Sequence, residues 1–169
     1  MRDHPMTKAH YLETARIGAI AGAAGGLVEI AWITLYAAAT GGNAAMLAQG
    51  VTTAAGVTAL LPAGSMTLGV VVHMALAVML GVVLAFVWRA LSTASRVGPT
   101  NPYPFTLTAL ASIWAVNFFV VLPLVSPAFI HMVPYAVSLT SKFLFGLAAA
   151  EVLRRGCGVL HASNTVEIR

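Results

Sequence analysis

A carboxylate stands in the middle of an otherwise apolar run, and no other feature of the chain restricts its fold as strongly. The run is Arg16–Ala39, RIGAIAGAAGGLVEIAWITLYAAA, and the carboxylate is Glu29. As a helix rising ~1.5 Å per residue, the run covers ~36 Å, slightly more than the hydrocarbon core of a bilayer. Glu29 lies thirteen residues beyond Arg16, ~20 Å above that end. An ionised carboxylate there costs ~3 kcal/mol on insertion scales and far more on an isolated helix, so it requires company. Gly18, Gly22, Gly25 and Glu29 are spaced four, three and four apart and share one helical face. Gly18-xxx-Gly22 and Gly22-xxx-Gly26 are small-xxx-small patterns that let two backbones approach closely. The carboxylate is therefore expected inside a helix–helix contact, either as a structural hydrogen bond or as a proton, ion or ligand site.

The 169 residues are 59% hydrophobic and only 8% charged. A soluble domain carries about a quarter charged residues, so this composition implies an integral membrane protein. The length suits one compact domain. A net charge of +4 invites a nucleic-acid reading, but the charges sit at span ends and termini, as topology signals do, and no nucleic-acid partner is expected. The single cysteine, Cys157, excludes an intramolecular disulfide. The N-terminus is not expected to be a signal peptide. Asp3 and Glu13 precede the apolar run, which far exceeds a signal h-region.

The expected architecture is an all-α bundle of four transmembrane helices. Residues 1–15 form a cytoplasmic segment, with His4 and His10 in solvated backbone. Residues 16–155 form the membrane domain, with spans at about 16–39, 67–88, 104–122 and 129–153, and residues 156–169 form a polar tail. Trp32 and Tyr36 suit an interfacial belt. The uncharged stretch 40–66 is expected as an external interfacial helix or re-entrant segment, with Asn43 as a cap. In the second span Gly69, His73, Ala77, Gly81 and Ala85 recur every four residues, a second small-residue stripe containing one histidine. In the fourth, His131, Tyr135, Ser138 and Lys142 make one face polar, and Pro134 is expected to bend its outer end. Arg2, Lys8 and Arg16, then Arg89 and Arg96, then Arg154 and Arg155 mark one side, while the two outer loops carry no charge. The positive-inside rule then puts both termini in the cytoplasm of a cell bounded by this inner membrane.

Counted from the basic ends, Glu29 and Asn117 lie ~20 Å deep, Lys142 ~18 Å and His73 ~24 Å. Each span thus brings one polar group to a similar level. An acid and an amine at matched depth are what a paired intramembrane charge requires. We expect a Glu29–Lys142 pair with Asn117 and His73 hydrogen-bonded around it. The competing reading is a pair that only fixes helix register.

Two function classes follow. One is a transporter or channel-like protein with a polar site at mid-membrane. The other is a non-catalytic accessory subunit of a larger membrane complex, or a homo-oligomer, whose polar layer locks helices together. A haem- or quinone-interacting subunit ranks third. His73 and His131, the only span histidines, differ by ~10 Å in depth, too much for one haem iron on straight helices. No metal is expected, because the histidines lack a tight ligand spacing. Catalysis by a nucleophile is not expected either: there is no Gly-x-Ser-x-Gly, and Ser138 and Ser141 suit bonds to their own helix backbone. A faint parallel echo links Val28-Glu29 to Val116-Asn117 and His73-Met74 to His131-Met132.

Overall fold

The computed structural model describes residues 8–42, 66–94, 101–125, 127 and 133–166, with side chains through Gly156. The segment expected within 40–66, its Asn43 cap, His4 and His131 lie outside the described residues. The fold is all-helical. Helices α1 (Lys8–Thr40), α2 (Met66–Ala94), α3 (Pro102–Val125) and α4 (Tyr135–Val166) are all long and apolar enough to cross a membrane.

Local chemistry sets most helix ends. Gly41 takes a left-handed φ of 70°, and the Gly42 N–H donates to the Ala37 carbonyl at 2.8 Å, which closes α1 in a Schellman turn. Asn101 caps α3 by accepting the Tyr103 N–H at 3.1 Å, and Pro102 occupies the first helical position, where no donor is needed. The bend expected at Pro134 within the fourth span is not found, because Pro134 precedes the helix. Helix α4 begins at Tyr135, and the Pro134 carbonyl accepts the Ser138 N–H at 3.1 Å. The third span, expected to end at about 122 just before Pro123, runs on through that proline to Val125. A proline inside a helix has no N–H and crowds the carbonyl four residues back. The chain relieves this by widening into a π-turn over Asn117–Val121, with the Leu122 N–H donating to the Asn117 carbonyl. Helix α1 starts eight residues ahead of Arg16, so exposed His10 is helical, and α4 continues through the expected tail to Val166.

The helices do not form a square. Helix α1 packs against both α2 and α4, α3 packs on α4, and α2 meets α3 only lightly, through ring contact of Trp88 with Phe105 at 5.6 Å. The α1–α2 seam is backbone against backbone. A Cβ on Gly22 would fall 2.7 Å from the Val78 Cα and closer still to the Ala77 carbonyl, and one on Gly18 would fall 2.6 Å from the Val82 Cα. Gly81, across the seam, leaves no more room. Gly69, Ala77 and Ala85 are buried along the same stripe of α2. On α1, Gly25 instead accommodates the Phe145 ring of α4, 2.6 Å from where its Cβ would be. Ala21, Ala77, Leu84, Leu110, Phe145 and Ala149 form the core between these surfaces.

Helices α3 and α4 are joined by polar bonds. Thr106 donates to the Gly146 carbonyl at 3.0 Å, the Trp114 indole to Ser138 Oγ at 3.0 Å, and the Tyr103 hydroxyl to Glu151 Oε2 at 2.5 Å. Arg154 and Arg155 also converge on Glu151. Nearby, Arg89 of α2 donates to Thr14 Oγ1 of α1 at 3.0 Å. Large apolar side chains such as Leu27, Met79, Phe119 and Leu124 face outward.

Candidate functional site

One position on α1 reaches two neighbours because the face expected to be single divides. Gly22 and Gly26 turn to α2, Gly25 turns to α4, and Glu29, three and four residues further on, enters the cleft between them. The residue is 3% exposed. From α4, Lys142 Nζ donates to Oε1 at 2.6 Å, a charge-assisted contact. Ser141 Oγ lies 3.2 Å from the same oxygen and 2.8 Å from the Ser138 carbonyl, so one hydroxyl proton serves two acceptors.

The other carboxylate oxygen is turned to α2. His73 Nε2 lies 3.6 Å from Oε2, beyond hydrogen-bond reach, and this buried nitrogen has no partner. The site is therefore lopsided: Oε1 carries two contacts from α4, while Oε2 faces an imidazole nitrogen across a gap. Lys142 and His73 expose 26% and 24% of their side chains at the margins of the cleft.

The four residues expected at one level are thus not all neighbours. Glu29, Lys142 and His73 come together, although His73 does so without the expected hydrogen bond. Asn117 does not join them. Helix α3 reaches the bundle through α4 and makes little contact with α1. The Asn117 side chain bonds to none of the other three, and its carbonyl is committed to the π-turn. Height along a span does not determine which helix stands beside it.

Of the secondary candidates, Ser138 is buried and accepts from Trp114, and Tyr135, at the start of α4, packs among Trp114, Phe118 and Phe119. His131 lies outside the described residues, and with it the second ligand of the haem reading. Trp32, expected in an interfacial belt, turns inward and donates to the Val137 carbonyl of α4 at 3.0 Å. Among the described residues, no three His, Cys, Asp or Glu side chains gather as a metal site would need.

Ser141 is the contact that sequence reasoning missed. Its signal was its spacing: three residues after Ser138 and four before Phe145, it shares the face that meets α1. The Tyr103–Glu151–Arg154–Arg155 network was also missed. Its arginine part has a sequence signal, the i,i+3 and i,i+4 spacing of Glu151 to Arg154 and Arg155, whereas nothing in the sequence ties Glu151 to Tyr103 of α3. Comparison with known proteins gives no match among family models, curated proteins or solved structures.

Proposed function

We propose that the protein lies in a cytoplasmic membrane with both termini inside, as a transporter or channel-like protein whose mid-membrane site is Glu29, Lys142 and His73. The orientation rests on the arginines at one end of the bundle and the positive-inside rule. The functional assignment rests on one observation, the buried His73 Nε2 that faces Glu29 unsatisfied. A polar layer that only fixed helix register would be most stable with every buried polar atom paired. A site that binds and releases keeps a valence open.

The test is flux through reconstituted protein. Vesicles holding a pH-sensitive dye are given a potassium diffusion potential with valinomycin, and internal acidification is followed. The unmodified protein is expected to acidify the lumen faster than empty vesicles do, and Glu29→Gln with Lys142→Met is expected to return the rate to the empty-vesicle leak. A folded double variant that conducts like the unmodified protein would end the transport reading.

A second reading has its own support. The closed α1–α2 glycine seam and the 3% exposure of Glu29 suit a rigid accessory subunit of a larger membrane complex. Under that reading, mild solubilisation of native membranes retains further chains at fixed stoichiometry, and the double variant retains them equally well.

A further inference from the structure

We propose that the ligand of the Glu29 site is the proton, bound at His73 Nε2, and that its arrival moves Glu29 from Lys142 to His73. This names the substrate class of the site proposed above. It rests on that reading for its purpose, while the binding chemistry stands on the geometry alone.

The gap selects the ligand. Nε2 and Oε2 face each other at 3.6 Å, and the nitrogen has no hydrogen-bond partner among the protein groups. A water bridging the two needs a pair of ~2.8 Å hydrogen bonds and so spans ~4.5 Å at its natural angle, which is too wide. A metal ion lying off the axis would need further ligands, and among the described residues no third His, Cys, Asp or Glu accompanies these two. The Lys142 ammonium, 2.6 Å from Oε1, also opposes a second full cation on the carboxylate. A proton has neither difficulty. Bound to Nε2, it makes the nitrogen a donor aimed at Oε2, and the gap closes into an ordinary charge-assisted bond.

The charges then compel an exchange. Unloaded, the site is neutral, with one carboxylate and one ammonium. Loading takes a proton from water, forms the Nε2–H bond and raises the site to +1, with Lys142 keeping all its protons. The ionisable groups that face the ring are Glu29 from α1 and Lys142 from α4. Helix α3 contributes none: its single titratable side chain among the described residues, Tyr103, lies at the arginine-bearing end beside Glu151. Two cations then share one carboxylate at mid-span, where charge is least tolerated. His73 is held on α2, whose backbone is locked to α1 by the glycine seam. Lys142 has a flexible four-carbon stem that is already partly exposed. Lys142 therefore yields, and the loss loosens α4 from α1.

Both steps can be read in bilayers by solid-state NMR on protein carrying 15N-histidine, 15Nζ-lysine and 13Cδ-glutamate. The chain has two lysines, Lys8 and Lys142, and Glu29→Gln identifies the coupled pair. At about pH 8, His73 Nε2 is expected unprotonated with a strong Lys142–Glu29 dipolar coupling, and at about pH 5, His73 is expected as imidazolium with that coupling reduced several-fold. In His73→Gln, the coupling is expected to be equal at both values. A His73 ring that keeps one protonation state throughout overturns the proposal. So does a coupling that does not change in the unmodified protein, or one that changes equally in His73→Gln. If His73→Gln does not fold, the titration of the unmodified protein decides alone. Failure here leaves the vesicle flux untouched, and failure of the flux leaves His73 titration untouched, so the two readings fail separately.

Discussion

Glu29 is the residue whose surroundings cost most if half removed. Replacing Lys142 by Met leaves its carboxylate with one shared serine hydroxyl and an imidazole nitrogen out of reach. Breaking a buried ion pair from one side destabilises by about 3–5 kcal/mol, whereas replacing both members with groups of similar volume is often close to neutral. Lys142→Met is therefore expected to unfold at a clearly lower temperature than the unmodified protein, and Glu29→Gln with Lys142→Met is expected to recover most of the loss. Tryptophan fluorescence of detergent-solubilised protein follows both. If single and double variants unfold together, the pair contributes no coupling. At this scale the sequence was informative about depth. Residue counting puts an acid and an amine at one level, and they meet. It could not give azimuth or neighbour order, so Asn117, at the same level as Glu29, was placed in a site that its helix does not reach. Ser141, next to Lys142 in sequence, was assigned only to its own backbone when it also reaches Glu29.

At the scale of the helix, two kinds of glycine contact separate by what surrounds them. A methyl group on Gly22 meets α2 backbone, which cannot give way without moving the helix, whereas one on Gly146 meets the ends of the Leu107 and Leu110 side chains at 3.1 and 3.3 Å. Gly22→Ala is expected to destabilise by about 1–3 kcal/mol, as overpacking does. Gly146→Ala is expected to change stability by less than about 1 kcal/mol, because side-chain adjustment is offset by the better helix propensity of alanine. Equal shifts in the unfolding midpoint for the two variants would contradict a backbone seam. The existence of all four helices was legible from apolar length, and the small-residue spacing marked the stripes along which they pack. Which partner each glycine faces was not legible, since Gly22 and Gly25 share a face on a helical wheel and still separate between α2 and α4. The fate of Pro123 was not legible either. A proline ends a helix or widens it, and buried Phe118 and Leu122 hold the widened turn against the bundle.

At the scale of the whole molecule, the contacts run in series from α2 through α1 and α4 to α3. A cut between α2 and α3 therefore leaves two halves of different construction, joined by an α1–α4 seam more extensive than the α3–α4 contact. Helices α1 and α2 are joined by glycine backbone, and α3 and α4 by the bonds from Thr106, Trp114 and Tyr103. The halves meet mainly along α1 and α4, through Gly25 with Phe145, Trp32 with Val137 and Glu29 with Lys142. The Trp88–Phe105 contact adds a smaller link near the arginine-bearing end. Fragments 1–97 and 98–169, co-expressed with an affinity tag on one, are therefore expected to co-purify. Lys142→Met and Gly25→Leu each attack the α1–α4 seam and are expected to lower recovery of the untagged fragment several-fold. Tyr103→Phe removes a bond inside one half and is expected to leave recovery unchanged. Should both seam variants recover as well as the unmodified pair, the link between the halves lies elsewhere, and release of Lys142 could not free α4 from α1.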